Sequence, residues 1–245
     1  SVSNTDTAER KIYIDYLRAV VPMKNNGEIP ADTKIPDVYR GSITEKTSDG
    51  YYINIIGRVS SGEVKDKDLY EKERNNLSET VGKNTDLAIF AGSNDISKNP
   101  SVETIKWSST YGFYSKDNVD IVQLTATNGG LRKTFAAQWS TFKKDIMNSN
   151  NKNVIFIMNR TPSDFTDQME AQLFRNALNE IRESGKTVFV VSASGFGAWE
   201  TVKDGIRYIN LPDLWYKGNV NRNYSMAKFK ITDNNITYDI ERLYK

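Results

Sequence analysis

The chain contains neither histidine nor cysteine in any of its 245 residues. The missing cysteine excludes disulfides, zinc–thiolate centres and thiol nucleophiles. The missing histidine removes the imidazole that most transition-metal sites use and the side chain best poised for proton transfer near neutral pH. A surplus of one charge is lacking as well. Lysine and arginine number 33 against 31 acidic residues, a net charge of +2, which is too small and too scattered for a nucleic-acid-binding face. No apolar run approaches the roughly 18 residues that a helical membrane span requires.

What is present fits one folded unit. With 38% hydrophobic residues, a chain of this length can bury one large core, or one core and a short extension. After Gly50 the sequence is organised around compact apolar runs: Tyr52–Ile56, Leu87–Ala91, Val119–Ala126, Val154–Met158 and Val188–Val191. Runs of this kind suit strands covered on both faces.

Helix-period segments lie between them. Phe135, Trp139, Phe142 and Ile146 fall on one helical face, and Met169, Leu173, Ala177, Leu178 and Ile181 on another. The second of these helices is expected to start at Thr166 or Asp167 as cap and to stop at Gly185. A weaker helix is expected from Asp66 to about Val81. The tail returns to strands over Gly205–Asn210, Met226–Ile231 and Ile236–Ile240, with Asp233-Asn234-Asn235 as a hairpin turn. This order predicts a mixed α/β fold whose ligands sit at the carboxyl ends of the strands. Residues 1–49 are read as an N-terminal strand and linker extension and 50–245 as the main domain.

Two of the predicted strand ends break into small and polar residues. QWSTFKKDIMNSNNKNVIFIMNRTP, from Gln138, resembles the stretch of calcineurin-like metallophosphoesterases in which a helix precedes a strand ending in Met-His-His-x-Pro; Asn159 and Arg160 occupy the histidine places. VVSASGFGAWETVKDGIRYINL resembles that family's Ser-Gly-His-x-His loop and the following strand pair, with Ser194 and Phe196 in place of the histidines. Upstream, YYINIIGRVSS is similar to the first strand and its Asp-x-His loop, with Arg58 at the aspartate and Ser60 at the histidine. DLAIFAGSNDIS is similar to the Gly-Asp-x-x-Asp loop, with Ser93 at the bridging aspartate. The segment that carries the family's Asn-His-Glu/Asp motif is missing between Ile96 and Thr110. The resemblance runs from about Tyr51 to Leu211.

The resemblance implies a four-layer α-β-β-α sandwich, two mixed sheets flanked by helices. It also implies the loss of two-metal chemistry, which needs a dense set of carboxylate and imidazole ligands. Arg58 puts a guanidinium that cannot be deprotonated where an aspartate would coordinate, and Phe196 puts a ring where a nitrogen would. Arg58 and Arg160 are expected to sit in the vestigial metal pocket and to pair with Asp95 or another nearby carboxylate. Asn94 and Asp95 remain as a residual polar site. The chain is thus read as a pseudoenzyme without metal or other cofactor, a structural or binding module.

Three further readings stand beside this one. An active phosphoesterase could hold Mg²⁺ or Ca²⁺ weakly through oxygen alone, from Asn94, Asp95, Asn159, Asp164 and Glu200; as side chains on several loops, these more commonly satisfy backbone groups. Gly92-Ser93-Asn94-Asp95 also spells the Gly-x-Asn-Asp block of SGNH esterases, but the nucleophilic serine and the histidine of that chemistry are absent. Among Trp107, Tyr111, Tyr114, Trp199, Trp215 and Tyr216, the tryptophans Trp199 and Trp215 are the candidates for exposed glycan contacts, against the alternative that they anchor core and loops.

KIYIDYLRAV, from Lys11, resembles the last strand of carbohydrate-binding jelly-roll modules, and a start at Ser1 without a signal-like stretch is read as a piece cut from a longer protein. Together with the absence of cysteine, this leads to the expectation of a secreted or cell-surface protein of a Gram-positive bacterium. Its expected partners are a cell-wall or polysaccharide ligand or its own neighbouring domains.

Overall fold

The computed structural model describes residues 37–60, 64–94, 96 and 98–244. Along the chain come β1 (Asp37–Arg40), β2 (Tyr51–Ile56), α1 (Lys67–Gly82), β3 (Leu87–Phe90), β4 (Glu103–Ile105), β5 (Gly112–Lys116) and β6 (Val119–Leu124). Next are α2 (Leu131–Phe135), α3 (Ala137–Asn148), β7 (Asn153–Met158), a single 3₁₀ turn (Pro162–Asp164), α4 (Gln168–Glu183) and β8 (Thr187–Ala193). The last part holds β9 (Trp199–Lys203), β10 (Ile206–Leu211), β11 (Trp215–Tyr216), β12 (Asn219–Val220), β13 (Ser225–Ile231) and β14 (Asn235–Arg242).

Two six-stranded sheets result, one ordered β1-β14-β13-β2-β3-β4 and the other β5-β6-β7-β8-β10-β9. Both are mixed. In the first, β2, β3 and β4 run parallel while β13 lies antiparallel to β2 and β14. In the second, β6, β7, β8 and β10 are parallel, flanked by the antiparallel edges β5 and β9.

Strand alternation sends each central strand's side chains to two different cores. Ile53, Ile55, Ile89, Ile155, Ile157, Phe189, Val191 and Phe229 fill the space between the sheets. Ile56, Ala88 and Phe90 face outward under α1, against Tyr70, Leu77 and Val81. On the other side, Val154, Phe156, Val188 and Val190 face outward under α3 and α4. The four-layer sandwich expected from the strand ends is therefore present, and β2, β3, β7 and β8 read as continuous apolar runs because they are covered on both faces.

The helix limits follow local chemistry. Asp66 caps α1, accepting from the Leu69 amide at 2.9 Å. Asp167 caps α4, accepting from Met169 and Glu170 at 2.9 and 3.2 Å. Phe174 of α4 anchors an aromatic cluster, with ring centroids 5.8 Å from Phe142, 5.9 Å from Phe156 and 6.2 Å from Phe165.

Two expectations are corrected. The helical stripe Phe135–Ile146 is divided between α2 and α3 around Ala136. Phe135, at the end of α2, is exposed, and so are Met169 and Leu173, because the line of α4 that meets the sheet is Ala171, Phe174, Leu178 and Ile181. The first sheet also recruits residues ahead of position 50: β1 pairs in parallel with β14, and Ile43 is buried. The strand and jelly-roll resemblance read at Lys11–Val21 lie outside the described residues.

Candidate functional site

The carboxyl ends of β2, β3, β8 and β10 meet at one rim, and glycine permits the meeting. A Cβ on Gly57 would lie 2.3 Å from the Pro212 carbonyl oxygen, and one on Gly92 would lie 3.0 Å from Arg58 Cβ. The loops are cross-laced by backbone hydrogen bonds. The Ser93 carbonyl accepts from Val59 and Ser60 at 3.0 and 3.2 Å, the Arg58 carbonyl from Leu214 at 2.8 Å, and the Gly195 carbonyl from Asp213 at 2.8 Å. Buried Tyr224 donates its hydroxyl to the Gly57 carbonyl at 3.2 Å.

The charged centre of this rim is Arg58 with Asp213. Arg58 Nε lies 3.6 Å from Asp213 Oδ1, an ion-pair separation too long for a hydrogen bond. Oδ1 is accordingly a buried oxygen without a hydrogen-bond partner, while Oδ2 accepts from the Gly195 amide at 3.3 Å. Burial raises the Asp213 pKa above its ordinary value, and the Arg58 charge and the Gly195 amide oppose that rise without cancelling it. The carboxylate expected beside Arg58 is thus found at Asp213; Asp95 lies outside the described residues. Sequence reasoning missed Asp213, whose one signal is its position two residues beyond the end of β10.

Several of the remaining predicted positions are engaged in local hydrogen bonds. Asn159, at the end of β7, accepts from the Ala126 amide at 2.8 Å and donates to Thr127 Oγ1 at 3.0 Å, holding the end of β6. Arg160 turns to its own loop, Nη1 donating to the Asp164 carbonyl at 3.3 Å. Ser192 and Ser194 hydroxyls both bond to buried Asn210 Oδ1, at 3.0 and 3.1 Å. Ser60, Ser93 and Asn94 are partly buried.

Of the other oxygen donors considered, Glu200 accepts from Arg40 and from Tyr238 of the opposite sheet, and Asp164 is exposed. Among the described residues, no three or more Asp or Glu side chains come together as a metal-binding group. Trp215 is the clear correction: it is buried at 6% exposure with its ring edge-on to Tyr70 at 5.0 Å, so it offers no face to a sugar. Trp199 is exposed at the start of β9. Beside it in sequence, Phe196 is exposed and packs on Tyr216 with centroids 4.9 Å apart.

No protein-family model matches the sequence, and no curated protein matches it. Solved structures do. GAP50, the anchor in the inner membrane complex of Plasmodium, is 7% identical over 80% of this chain and 88% of its own, with a TM-score of 0.49. A predicted phosphoesterase from Streptococcus pneumoniae is 11% identical over 81% of this chain and 94% of its own, with a TM-score of 0.38. A mutant of Vps29 from Entamoeba histolytica is 7% identical over 77% of this chain and 97% of its own, with a TM-score of 0.34. Identities and scores at this level assign neither family nor activity.

Proposed function

We propose that the chain is a catalytically degenerate metallophosphoesterase-like domain, kept as a structural or binding module of a secreted or cell-envelope protein. The observation that carries this reading is the Arg58–Asp213 pair. The sequence resemblance puts a metal-coordinating aspartate at position 58; the residue there is a guanidinium that faces a carboxylate across the rim. A fixed cation supplies the positive charge that a metal ion would otherwise bring, and it can neither release a site for water nor generate hydroxide. Asn159, Ser192 and Ser194 support the same reading, since each is committed to holding a neighbouring strand end. The placement outside the cytoplasm rests on the absence of cysteine and on the jelly-roll resemblance at Lys11.

The test is turnover of p-nitrophenyl phosphate and bis-p-nitrophenyl phosphate with Mn²⁺, Mg²⁺ or Ca²⁺ supplied in turn. The expected result is no rate above buffer with any of them. Metal-dependent turnover that disappears in Asp95→Ala or Asp213→Ala would overturn the proposal and favour the oxygen-ligand enzyme.

A further inference from the structure

Phe196 is half exposed and firmly positioned, a combination that needs a reason because burying such a ring is worth about 2 kcal/mol. Its loop is held from beneath by two asparagines, each 2% exposed. Asn210 Nδ2 donates to the carbonyls of Ser194 and Gly197 at 2.8 and 3.0 Å, and Asn221 Nδ2 to those of Phe196 and Asp213 at 2.8 and 2.9 Å. A Cβ added at Gly195 or Gly197 would meet nothing within 4 Å, so the loop stands clear of the rest of the fold. The Phe196 ring, 50% exposed, leans on the Tyr216 ring, 38% exposed, at an interplanar angle of 50°.

A lysine and an ion pair border this platform. The Lys217 ammonium lies 5.4 Å from the Tyr216 ring centroid. The Arg58 guanidinium stands across Asp213, whose other oxygen takes the Gly195 amide. We propose that the Phe196–Tyr216 platform binds an acidic carbohydrate, one face of a pyranose lying on the Phe196 ring and a sugar carboxylate turned toward Lys217. Two rings match the footprint of one or two sugar units and fall short of the several hundred Å² of apolar surface that marks a protein interface. The Lys217 ammonium favours carboxylated over neutral sugars. The inference gives a ligand class to the binding-module reading above, but it does not need the cleft to be inactive.

The experiment is affinity electrophoresis of the whole chain in gels containing polygalacturonate, with dextran as the neutral control and EDTA throughout. Retardation by polygalacturonate is expected to weaken with added salt, to fall about tenfold in Phe196→Ala and to fall about threefold in Lys217→Asn, with melting temperatures confirming that both variants fold. No retardation by polygalacturonate, or retardation unchanged in Phe196→Ala, overturns the proposal; equal retardation by dextran overturns the acidic assignment. Because EDTA removes divalent metals, these results read the platform alone, while metal-dependent turnover reads the degenerate cleft.

Discussion

At position 213 two opposing effects can be separated by titration. Burial favours the neutral carboxyl, and the raised pKa shows that Arg58 and the Gly195 amide do not fully offset it. The folded chain therefore takes up this proton at a higher pH than the unfolded chain, whose reference value is 3.8. The contribution of Asp213 to stability is then largest at low pH and declines as pH rises through the folded-state value. Asp213→Asn, which cannot titrate, is expected to melt no lower than wild type at pH 7 and to lose that standing as the pH is brought toward 4. Arg58→Gln leaves the carboxylate without its counter-charge and is expected to cost up to about 1 kcal/mol at pH 7, because the guanidinium is partly solvated. The double variant should recover part of that loss, a coupling that urea denaturation of all four proteins would measure. Strict additivity would mean that the two charges do not interact. Arg58 was legible in the sequence as a candidate at a strand end; its partner was not, since a carboxylate far downstream is brought to Arg58 only by the packing of the β10 end against the β2 end.

Among the elements, those legible beforehand are the ones buried on both faces. The apolar runs at Tyr52, Leu87, Val119, Val154 and Val188 became β2, β3, β6, β7 and β8, a helix starts after Asp66, and Asp167 caps α4 as expected. The edge strand β5 escaped notice for a physical reason: it is largely solvent-facing, so GFYSK carries no continuous apolar signal, and the equally exposed WETVK of β9 was indicated only by the loop resemblance. The loops between elements depend on contacts that only the assembled fold reveals, and Gly57 is the sharpest case. Its missing Cβ leaves room for backbone atoms of Leu211 and Pro212, which cannot swing aside as a side chain can. Gly57→Ala is expected to cost about 3 kcal/mol or more, whereas Gly92→Ala, facing mainly the Arg58 residue at 3.0 Å or more, should cost about 1 kcal/mol. Urea denaturation midpoints in the reverse order would show that the rim is held by something other than close backbone approach.

For the molecule as a whole, the four layers were readable because the strand-end resemblance and the apolar runs agree on the same central strands; the extent of the first sheet was not. Four residues of β1 are too few and too exposed to announce a strand, yet they are stitched to the rest at several points. β1 pairs with β14 from Asp37↔Asn235 to Arg40↔Tyr238, and the Gly41 amide continues the ladder to the Tyr238 carbonyl at 3.1 Å. Arg40 pairs with Glu200 of the second sheet, tying the two sheets together at their edge. Beyond the strand, Lys228 Nζ donates to the Ile43 carbonyl at 3.1 Å and Asn84 Nδ2 to the Thr44 carbonyl at 3.0 Å. Removing these residues would leave β14 as a bare edge, with Ile236 and Tyr238 losing cover on one side and a row of backbone groups open to pairing with another chain. A chain beginning at residue 50 is therefore expected to melt about 5–10 °C below one beginning at residue 37, the shift that about 2–3 kcal/mol produces in a domain of this size. It should also self-associate as its concentration rises, a change that scattering or sedimentation would detect. Equal melting temperatures for the two chains would mean that β1 is an ornament on the sheet, and that the folded unit does begin after the linker.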